Sequence, residues 1–170
     1  MTELETALAD NRTAVEEFVA AARALDAARW RASIGEGKWS PAQIAEHLAI
    51  IYEYNRKVML GTAPGVPWLL RPILQPLLRK IVVTDTMKAG RFTRKGRAPK
   101  FFLPTAAPAD ASIVLSRLTD AVGGFEADIR SRPRGDGTIT HPAFGSIAML
   151  DWVRLQAIHV RHHRSQLTST

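Results

Sequence analysis

The stretch His159-Val-Arg-His-His-Arg-Ser-Gln166 lies near the C-terminus, in a segment whose apolar residues recur at helical spacing. Residues four apart share one face of a helix, so His159 and His163 should present their imidazoles side by side. The same face carries Trp152, Leu155 and Gln166 or Leu167. A helical His-x-x-x-His pair can bind one metal ion when a third ligand comes from elsewhere. The pattern therefore predicts a helix that turns a candidate metal-binding pair toward the core.

His47 is the best candidate for the third ligand. It lies in a predicted helix over residues 41–60. The start of this helix has a clear signal, with Ser40 as the N-cap, Pro41 at the first helical position and Gln43 at the third. Counting in threes and fours places His47 on the apolar face of this helix, with Gln43 or Ile44, Ile51 and Tyr54. A buried imidazole needs a polar partner, because burying an unsatisfied polar group costs free energy.

Two further helices complete the predicted fold. Helical periodicity extends over residues 2–29, with Thr2 and Glu5 at capping-box spacing, and over residues 109–131. The helix that carries His159 should begin at Ser146 as its N-cap. We find no strand pattern, so four long helices predict an all-α bundle. A length of 170 residues predicts one domain over residues 1–170.

Composition excludes several classes of function. The chain has no cysteine, so disulfides, thiolate metal sites and a cysteine nucleophile are absent. Any metal must be bound by His, Asp, Glu or water. The acidic start Met1-Thr-Glu-Leu-Glu5 does not resemble a signal peptide, and prolines and cations interrupt the most apolar segment, residues 66–83. We therefore expect a cytoplasmic protein without a membrane span.

Positive charge is concentrated in one part of the chain. The net charge is +7, with 23 Lys and Arg against 16 Asp and Glu. Residues 71–100, called the basic segment below, hold nine Lys and Arg against a single acid, Asp85, so the remainder is nearly neutral. This segment lies in a connection over residues 61–108, far longer than the usual ~2 to 8 residues between helices. Residues 68–80 predict one or two short helices broken near prolines, and residues 84–104 predict irregular structure. Either a pocket lid or a solvated loop would account for the insertion.

The histidines also allow a purely structural interpretation. Arg161, His162, His163 and Arg164 fall in the final turns of a helix, where cations interact favourably with the dipole. On the metal-site interpretation, repulsion from the two arginines would keep the imidazoles neutral, which is their ligating form. His162 points about 100° away from His163 and is a second choice as ligand. His141 precedes a proline and is predicted to be a turn or cap residue and not a ligand. The motif lacks the glutamate of His-Glu-x-x-His, so the general base of a zinc protease is missing.

Two stretches resemble the DinB-like (DinB/YfiT) superfamily. Trp39-Ser-Pro-Ala-Gln-Ile-Ala-Glu-His47 is similar to its second-helix motif, and His141-Pro-Ala-Phe-Gly145 followed by Trp152, His159, His163 and Gln166 is similar to its last-helix region. The resemblance covers essentially the whole chain. It implies an up-down-down-up four-helix bundle, often dimeric, with a divalent metal held at positions that match His47, His159 and His163. The basic segment, predicted as a helical insertion between the second and third helices, is not part of the shared motifs.

The resemblance also implies a function. Some members are transferases or isomerases that use a low-molecular-weight thiol, such as bacillithiol, mycothiol or glutathione, and many have no established activity. Three neutral histidines would leave an open position on zinc or nickel, where a thiol could be deprotonated. Because the chain has no cysteine, that thiol would come from outside. Gln166, Tyr54 and Glu46 are candidates for supporting or substrate contacts; the catalytic residues stay unassigned, and a hydrolase-like activity stays open.

Two non-enzymatic alternatives remain. The basic segment could bind an anionic partner, either nucleic acid or an anionic membrane surface. Aromatic residues are sparse there and no nucleic-acid motif is present, so we expect no nucleic-acid partner. The chain could instead be a metal-free bundle whose histidines satisfy one another. We expect a small-molecule substrate and a homodimer on the leading interpretation.

Overall fold

A computed structural model describes residues 2–65, 67–93, 98–132 and 137–167. Four long helices form the predicted bundle: α1 (Glu3–Arg23), α3 (Pro41–Met59), α6 (Ala111–Ser131) and α7 (Met149–Leu167). Shorter helices are α2 (Ala27–Arg31), α4 (Arg71–Leu78) and α5 (Asp85–Ala89). A two-stranded sheet consists of β1 (Thr138–His141) and β2 (Gly145–Ala148). Of the basic segment, residues 94–97 lie outside the described residues.

The start of α3 has the predicted capping box. Gln43 N donates to Ser40 Oγ over 3.3 Å, and Ser40 N donates to Gln43 Oε1 over 3.0 Å. Both bonds satisfy backbone N–H groups that a helix start leaves without an internal partner. Pro41 occupies the first turn, where no N–H is needed. The cap fixes the register of α3 and therefore the face on which His47 lies.

Ion pairs between helices give the direction of each helix. Along α1 and α7 the paired positions rise together, so these helices are parallel: Glu3 with Arg154, Asp10 with Arg161 and Glu17 with Arg164. The same holds for α3 and α6, where Glu53 pairs with Arg117 and Arg56 with Asp128. Between α1 and α6 the order reverses, because Glu5 pairs with Arg130 and Arg12 with Glu126. The bundle is therefore up-down-down-up, as predicted.

Aromatic side chains fill the centre of the bundle. The Phe125 ring of α6 meets the Tyr52 ring of α3 at 5.6 Å and the Trp152 ring of α7 at 5.2 Å, both edge to face. All three are almost completely buried, as is Phe18 of α1. Edge-to-face contacts between aromatic rings add to the stabilisation that burial provides. Each long helix thus contributes one large ring to a common core.

The predicted first helix is shorter than expected. A single helix over residues 2–29 is wrong, because α1 ends at Arg23 and α2 begins at Ala27. Asp26 lies between them as an N-cap, and its Oδ1 accepts from Arg29 N over 2.8 Å. An aspartate side chain competes for backbone N–H groups and so favours a new helix start over continuation. Periodicity alone did not show this break.

The start of the last helix was also predicted incorrectly. Ser146 lies in β2 and does not cap α7, which begins at Met149. β1 and β2 form an antiparallel hairpin in which the buried residues Ile139 and Ile147 are paired. Gly145 adopts a left-handed conformation, φ +70°, which glycine reaches without steric cost. Four-residue strands are too short for their alternation to stand out from a helical pattern.

The long connection contains α4, α5 and two 3₁₀ turns, Trp68–Leu70 and Lys100–Phe102, with a π-helical stretch at Arg79–Thr84. The prediction of short helices within residues 68–80 is confirmed, but a break near Pro76 is wrong, because α4 continues through it. The helix α5 and the second turn correct the expectation of irregular structure over 84–104. Gln75 Nε2 donates to Pro142 O over 2.9 Å, and Arg79 Nη1 donates to Ser146 O over 3.0 Å. These bonds hold α4 against the hairpin.

None of the helices among the described residues combines the length and apolar character needed to cross a membrane.

Candidate metal centre

His47 is held on α3 by a residue of the long connection. Its Nδ1 lies 2.8 Å from the backbone carbonyl oxygen of Phe102, and only 4% of the residue is exposed. A carbonyl oxygen can only accept, so Nδ1 carries the proton and donates it. The Nε2 atom of the neutral ring then has a free lone pair. His47 is thus held in the tautomer that a metal ligand requires.

The two histidines of α7 face each other one turn apart. Their Nε2 atoms lie 3.0 Å apart. On its other side, His163 Nδ1 lies 2.9 Å from Gln166 Oε1, and Gln166 Nε2 lies 3.2 Å from His162 Nε2. Since the amide nitrogen donates to His162, the amide oxygen accepts from His163 Nδ1. His163 therefore also directs an unprotonated Nε2 toward His159.

The structure brings the three predicted ligands together. One ring nitrogen from each of His47, His159 and His163 lies within 4.8 Å of the other two. Zn–N bonds of about 2.0–2.1 Å in a tetrahedral site place ligand nitrogens about 3.3–3.4 Å apart. The observed 3.0 Å contact and 4.8 Å limit bracket that separation. Small side-chain movements would therefore suffice for the three rings to hold one ion.

Burial keeps all three imidazoles neutral. Desolvation lowers the pKa of His47, and it lowers the pKa of His163 to about 3 with a smaller contribution from His47. The pKa of His159 is held well below its usual range, first by burial and then by the neighbouring histidines. Metal binding requires the unprotonated ring, so these environments favour ligation near neutral pH.

The two arginines of the motif do not produce this effect. Arg161 forms an ion pair with Asp10, and Arg164 forms one with Glu17 at 3.2 Å, both on the face that α7 shows to α1. The expectation that arginine repulsion keeps the imidazoles neutral is therefore corrected, because burial is the dominant cause. The two arginines therefore join α7 to α1, whereas His159 and His163 lie on a different side of α7.

Aromatic rings surround the three histidines. The Trp39 ring lies 4.8 Å from His47 and stacks at 6.5 Å on His163. The Phe92 ring lies 5.5 Å from both His159 and His162. Neither residue was predicted from the sequence as a candidate for the site: Trp39 was noted only as the start of the stretch that resembles the second-helix motif, and nothing in the sequence distinguishes Phe92. Apolar walls of this kind reduce the local dielectric and strengthen electrostatic effects inside the site.

A family model described as the DinB superfamily matches residues 10–167. The chain belongs to the DinB superfamily. Among solved structures, the chain is similar to the one titled "Crystal structure of TT2238, a four-helix bundle protein", with a TM-score of 0.61 and 21% identity over 98% of this chain and 99% of that chain. At this identity the likeness shows the fold alone. A comparison with curated proteins found no match.

In this DinB superfamily member, the three residues expected to support the site, Gln166, Glu46 and Tyr54, differ in what they contact. Gln166 contacts His163 directly, as described above. Glu46 instead accepts from Thr105 N over 2.7 Å and from Thr105 Oγ1 over 2.9 Å. Tyr54 donates to Pro64 O over 2.7 Å, and its ring packs edge to face on Phe102 at 4.8 Å. Glu46 and Tyr54 thus fix the segment that carries the Phe102 carbonyl group.

The two remaining histidines of the DinB chain have supporting positions. His141 ends β1, and its Nδ1 accepts from Ala143 N over 3.1 Å, so its side chain caps the turn that follows, which is one of the two predicted roles. Its ring stacks on Phe144 at 4.2 Å, and burial lowers its pKa to about 4. His162 lies 5.2 Å from the His163 ring and is bonded to Gln166. The group of three that could hold a metal ion contains neither of them.

Two shallow depressions border α6 of the DinB bundle, and both include Ser112, Ser116 and Asp120. Neither is lined by His47, His159 or His163. The three polar residues that both depressions share are exposed on the outer surface of α6. The candidate centre therefore rests on donor geometry and burial.

Proposed function

We propose that this protein is a divalent-metal-dependent enzyme in which His47, His159 and His163 hold zinc or nickel. The convergence of three buried or half-buried imidazole nitrogens within 4.8 Å carries the proposal. Two of these rings are fixed from behind by an acceptor, Phe102 O or Gln166 Oε1. Histidines that bind metal are commonly oriented in this way. Three neutral nitrogen ligands suit zinc and nickel.

The chemistry we infer is the transfer or isomerisation of a small molecule with the help of a low-molecular-weight thiol. A metal with an open position would supply positive charge that lowers the pKa of a thiol at that position. The chain contains no cysteine, so the thiol would be a cosubstrate. Trp39 and Phe92 would exclude water from the reacting groups, while Phe102 O and Gln166 hold the ligand rings. Family membership supports this reaction class.

The charge near the aromatic wall suits an anionic cosubstrate. Arg91 immediately precedes Phe92, is exposed, and has no ion-pair partner among the described residues. The basic segment that surrounds it has a net charge of +8, nine Lys and Arg against Asp85. A cationic approach to a site raises the local concentration of anions and speeds their association. Low-molecular-weight thiols that carry carboxylates would benefit from this field.

Elemental analysis of protein purified without an affinity tag tests the metal site. We expect near-stoichiometric zinc or nickel in the wild type and its loss from His47→Ala and His159→Ala. His141→Asn is the matched control, because it replaces a buried histidine outside the cluster and keeps an acceptor for Ala143 N. The control should retain the metal. A wild type that is metal-free and also refuses added zinc and nickel would rule out the proposal.

Thermal unfolding with and without a chelator distinguishes a metal-binding protein from a metal-free bundle in which His159 and His163 bond to each other. The 3.0 Å contact between His159 and His163 would also suit two neutral rings that share one proton. A metal at about 100 times its dissociation constant should stabilise the fold by about 2.7 kcal/mol. Equal stability in both conditions would favour the metal-free bundle. If the metal is present, a screen of thiols should show turnover by the wild type and none by His47→Ala.

A further inference from the structure

α4 presents an apolar face to solvent. Four large apolar side chains of α4 and the preceding turn are exposed to solvent, and Ile73 and Leu69 are the most exposed, at 71% and 68%. We call these four residues the α4 apolar face: Leu69, Leu70, Ile73 and Leu77. Leu70, Ile73 and Leu77 are three and four residues apart and so share one side of the helix. The adjacent Leu74 and Leu78 are partly buried. Because Gln75 and Arg79 bond to the hairpin, the inward side is fixed and the outward side stays open.

The chain that follows this face carries three exposed cations without an ion-pair partner among the described residues. On the four long helices, arginines pair with acids of neighbouring helices, as in Arg56 with Asp128, Arg117 with Glu53 and Arg161 with Asp10. In the basic segment, the exposed Lys88, Arg91 and Lys100 have no ion-pair partner among the described residues. These three cations follow the α4 apolar face along the chain, in a segment that carries a net charge of +8 while the remainder of the chain is nearly neutral.

We propose that the α4 apolar face, together with Lys88, Arg91 and Lys100, binds the surface of an anionic phospholipid membrane. An amphipathic element that presents Leu and Ile beside Lys and Arg can insert its apolar side chains at the headgroup boundary while the cations contact anionic lipids. Clustered exposed apolar side chains mark sites of interaction with membranes or other proteins. The binding is peripheral and reversible, and it does not depend on the metal site.

The combination of side chains favours lipid over other occupants. Nucleic acid would engage the cations and would prefer aromatic side chains, whereas the α4 apolar face is aliphatic. A second copy related by a twofold axis would bring two segments of net charge +8 together, and like charges repel. A membrane with anionic lipids complements both the charge and the aliphatic side chains.

Vesicle co-sedimentation with the full chain tests this proposal. Vesicles of phosphatidylcholine alone are compared with vesicles in which part of the lipid is phosphatidylglycerol, at low and at physiological salt. We expect binding to the anionic vesicles only. The double variant Ile73→Ser/Leu77→Ser should weaken it by at least about tenfold, because each 1.4 kcal/mol of lost apolar insertion is a factor of ten. Ile113→Ser is the matched control, an exposed isoleucine on α6, and should bind like the wild type.

Three results would overturn the proposal. The wild type could fail to bind anionic vesicles at low salt. The double variant could bind as well as the wild type while Lys88→Glu/Arg91→Glu does not, which would show electrostatic adsorption alone. Sedimentation velocity could show a wild-type dimer that the double variant lacks, without vesicle binding, which would assign the face to a second copy. Circular dichroism of each variant establishes that the substituted proteins are folded.

Discussion

His47 Nδ1 donates to the carbonyl oxygen of Phe102 over 2.8 Å, although the two residues are 55 positions apart. The connection between α3 and α6 therefore orients a histidine of the bundle. Glu46, the neighbour of His47, holds the same segment through two hydrogen bonds from Thr105. Glu46 therefore holds the segment in place at Thr105, and the Phe102 carbonyl of that segment orients His47, the next residue of α3.

Glu46→Ala should weaken metal binding without removing a ligand. Loss of the carboxylate leaves Thr105 N and Oγ1 unpaired and frees the segment that carries the Phe102 carbonyl. Loss of such supporting contacts typically costs about 10- to 100-fold in metal affinity. Competition with a chromogenic chelator measures the dissociation constant. Glu53→Ala is the control, since Glu53 also pairs with Arg117 but has no bond to Thr105. Equal affinities for the two variants would contradict the proposed role of Glu46.

Gln166 should influence the metal through His163. In Gln166→Leu the Nδ1 proton of His163 loses its acceptor, so the ring loses its fixed orientation. We expect affinity to fall by about 10- to 100-fold. Gln166→Glu keeps an acceptor oxygen for His163 Nδ1 and should restore most of the metal affinity. Equal metal affinities for Gln166→Leu and Gln166→Glu would show that this hydrogen bond does not contribute. Ser165→Ala, which loses a hydroxyl bonded to the His162 carbonyl, should bind metal normally.

Acid should destabilise the metal-free fold in part through His141. Burial lowers the pKa of His141 from 6.5 to about 4. As the pH falls below 6.5, the unfolded chain takes up a proton that the folded chain refuses, so stability declines until about pH 4 and is constant below it. Between pH 7 and pH 4.5 this group should cost about 2.5 kcal/mol.

Urea unfolding in the presence of a chelator measures the effect of His141. His141→Asn keeps an acceptor for Ala143 N but does not titrate, so its stability should fall less between the two pH values. The difference between the two declines isolates His141 from the other buried histidines. Parallel pH profiles for wild type and variant would show that His141 does not contribute.

The adjacent glycines of α6 should respond differently to alanine. A Cβ at Gly123 would have no neighbour within 4 Å, so Gly123→Ala should stabilise the protein by up to about 1 kcal/mol through helix propensity. A Cβ at Gly124 would lie 2.6 Å from the Arg56 guanidinium, which pairs with Asp128. Gly124→Ala must therefore displace Arg56, and the gain should be smaller. Urea denaturation compares the two variants, and equal gains would mean that the Arg56 side chain moves without cost.

The features that sequence could predict have short-range signals. The capping box at Ser40 and Gln43 and the spacing of His159 and His163 are local patterns with a direct physical cause, and they placed α3 and α7 correctly apart from the start of α7. The Phe102 contact could not be predicted, because every residue has a carbonyl group and only the path of the chain selects this one. Phe92 reaches the site for the same reason.

Other errors arose where two local signals competed. Asp26 lies inside an apolar periodicity that continues on both sides of it, so the end of α1 depended on a single cap. Ile139 and Ile147 are compatible with strand or helix over so few residues, and only their pairing decides between the two. Tertiary contact resolved both cases.

The parallel pairing of α1 with α7 has a consequence for synthesis. Asp10 and Arg161 are 151 residues apart, and at a translation rate of about 5–20 residues per second the second follows the first after about 8–30 s. During that interval the apolar stripe of α1, including Leu8 and Phe18, has no α7 to cover it. A nascent chain that stalls before α7 would have an open core and only one of the three clustered histidines, so it should be a target for chaperones and proteases.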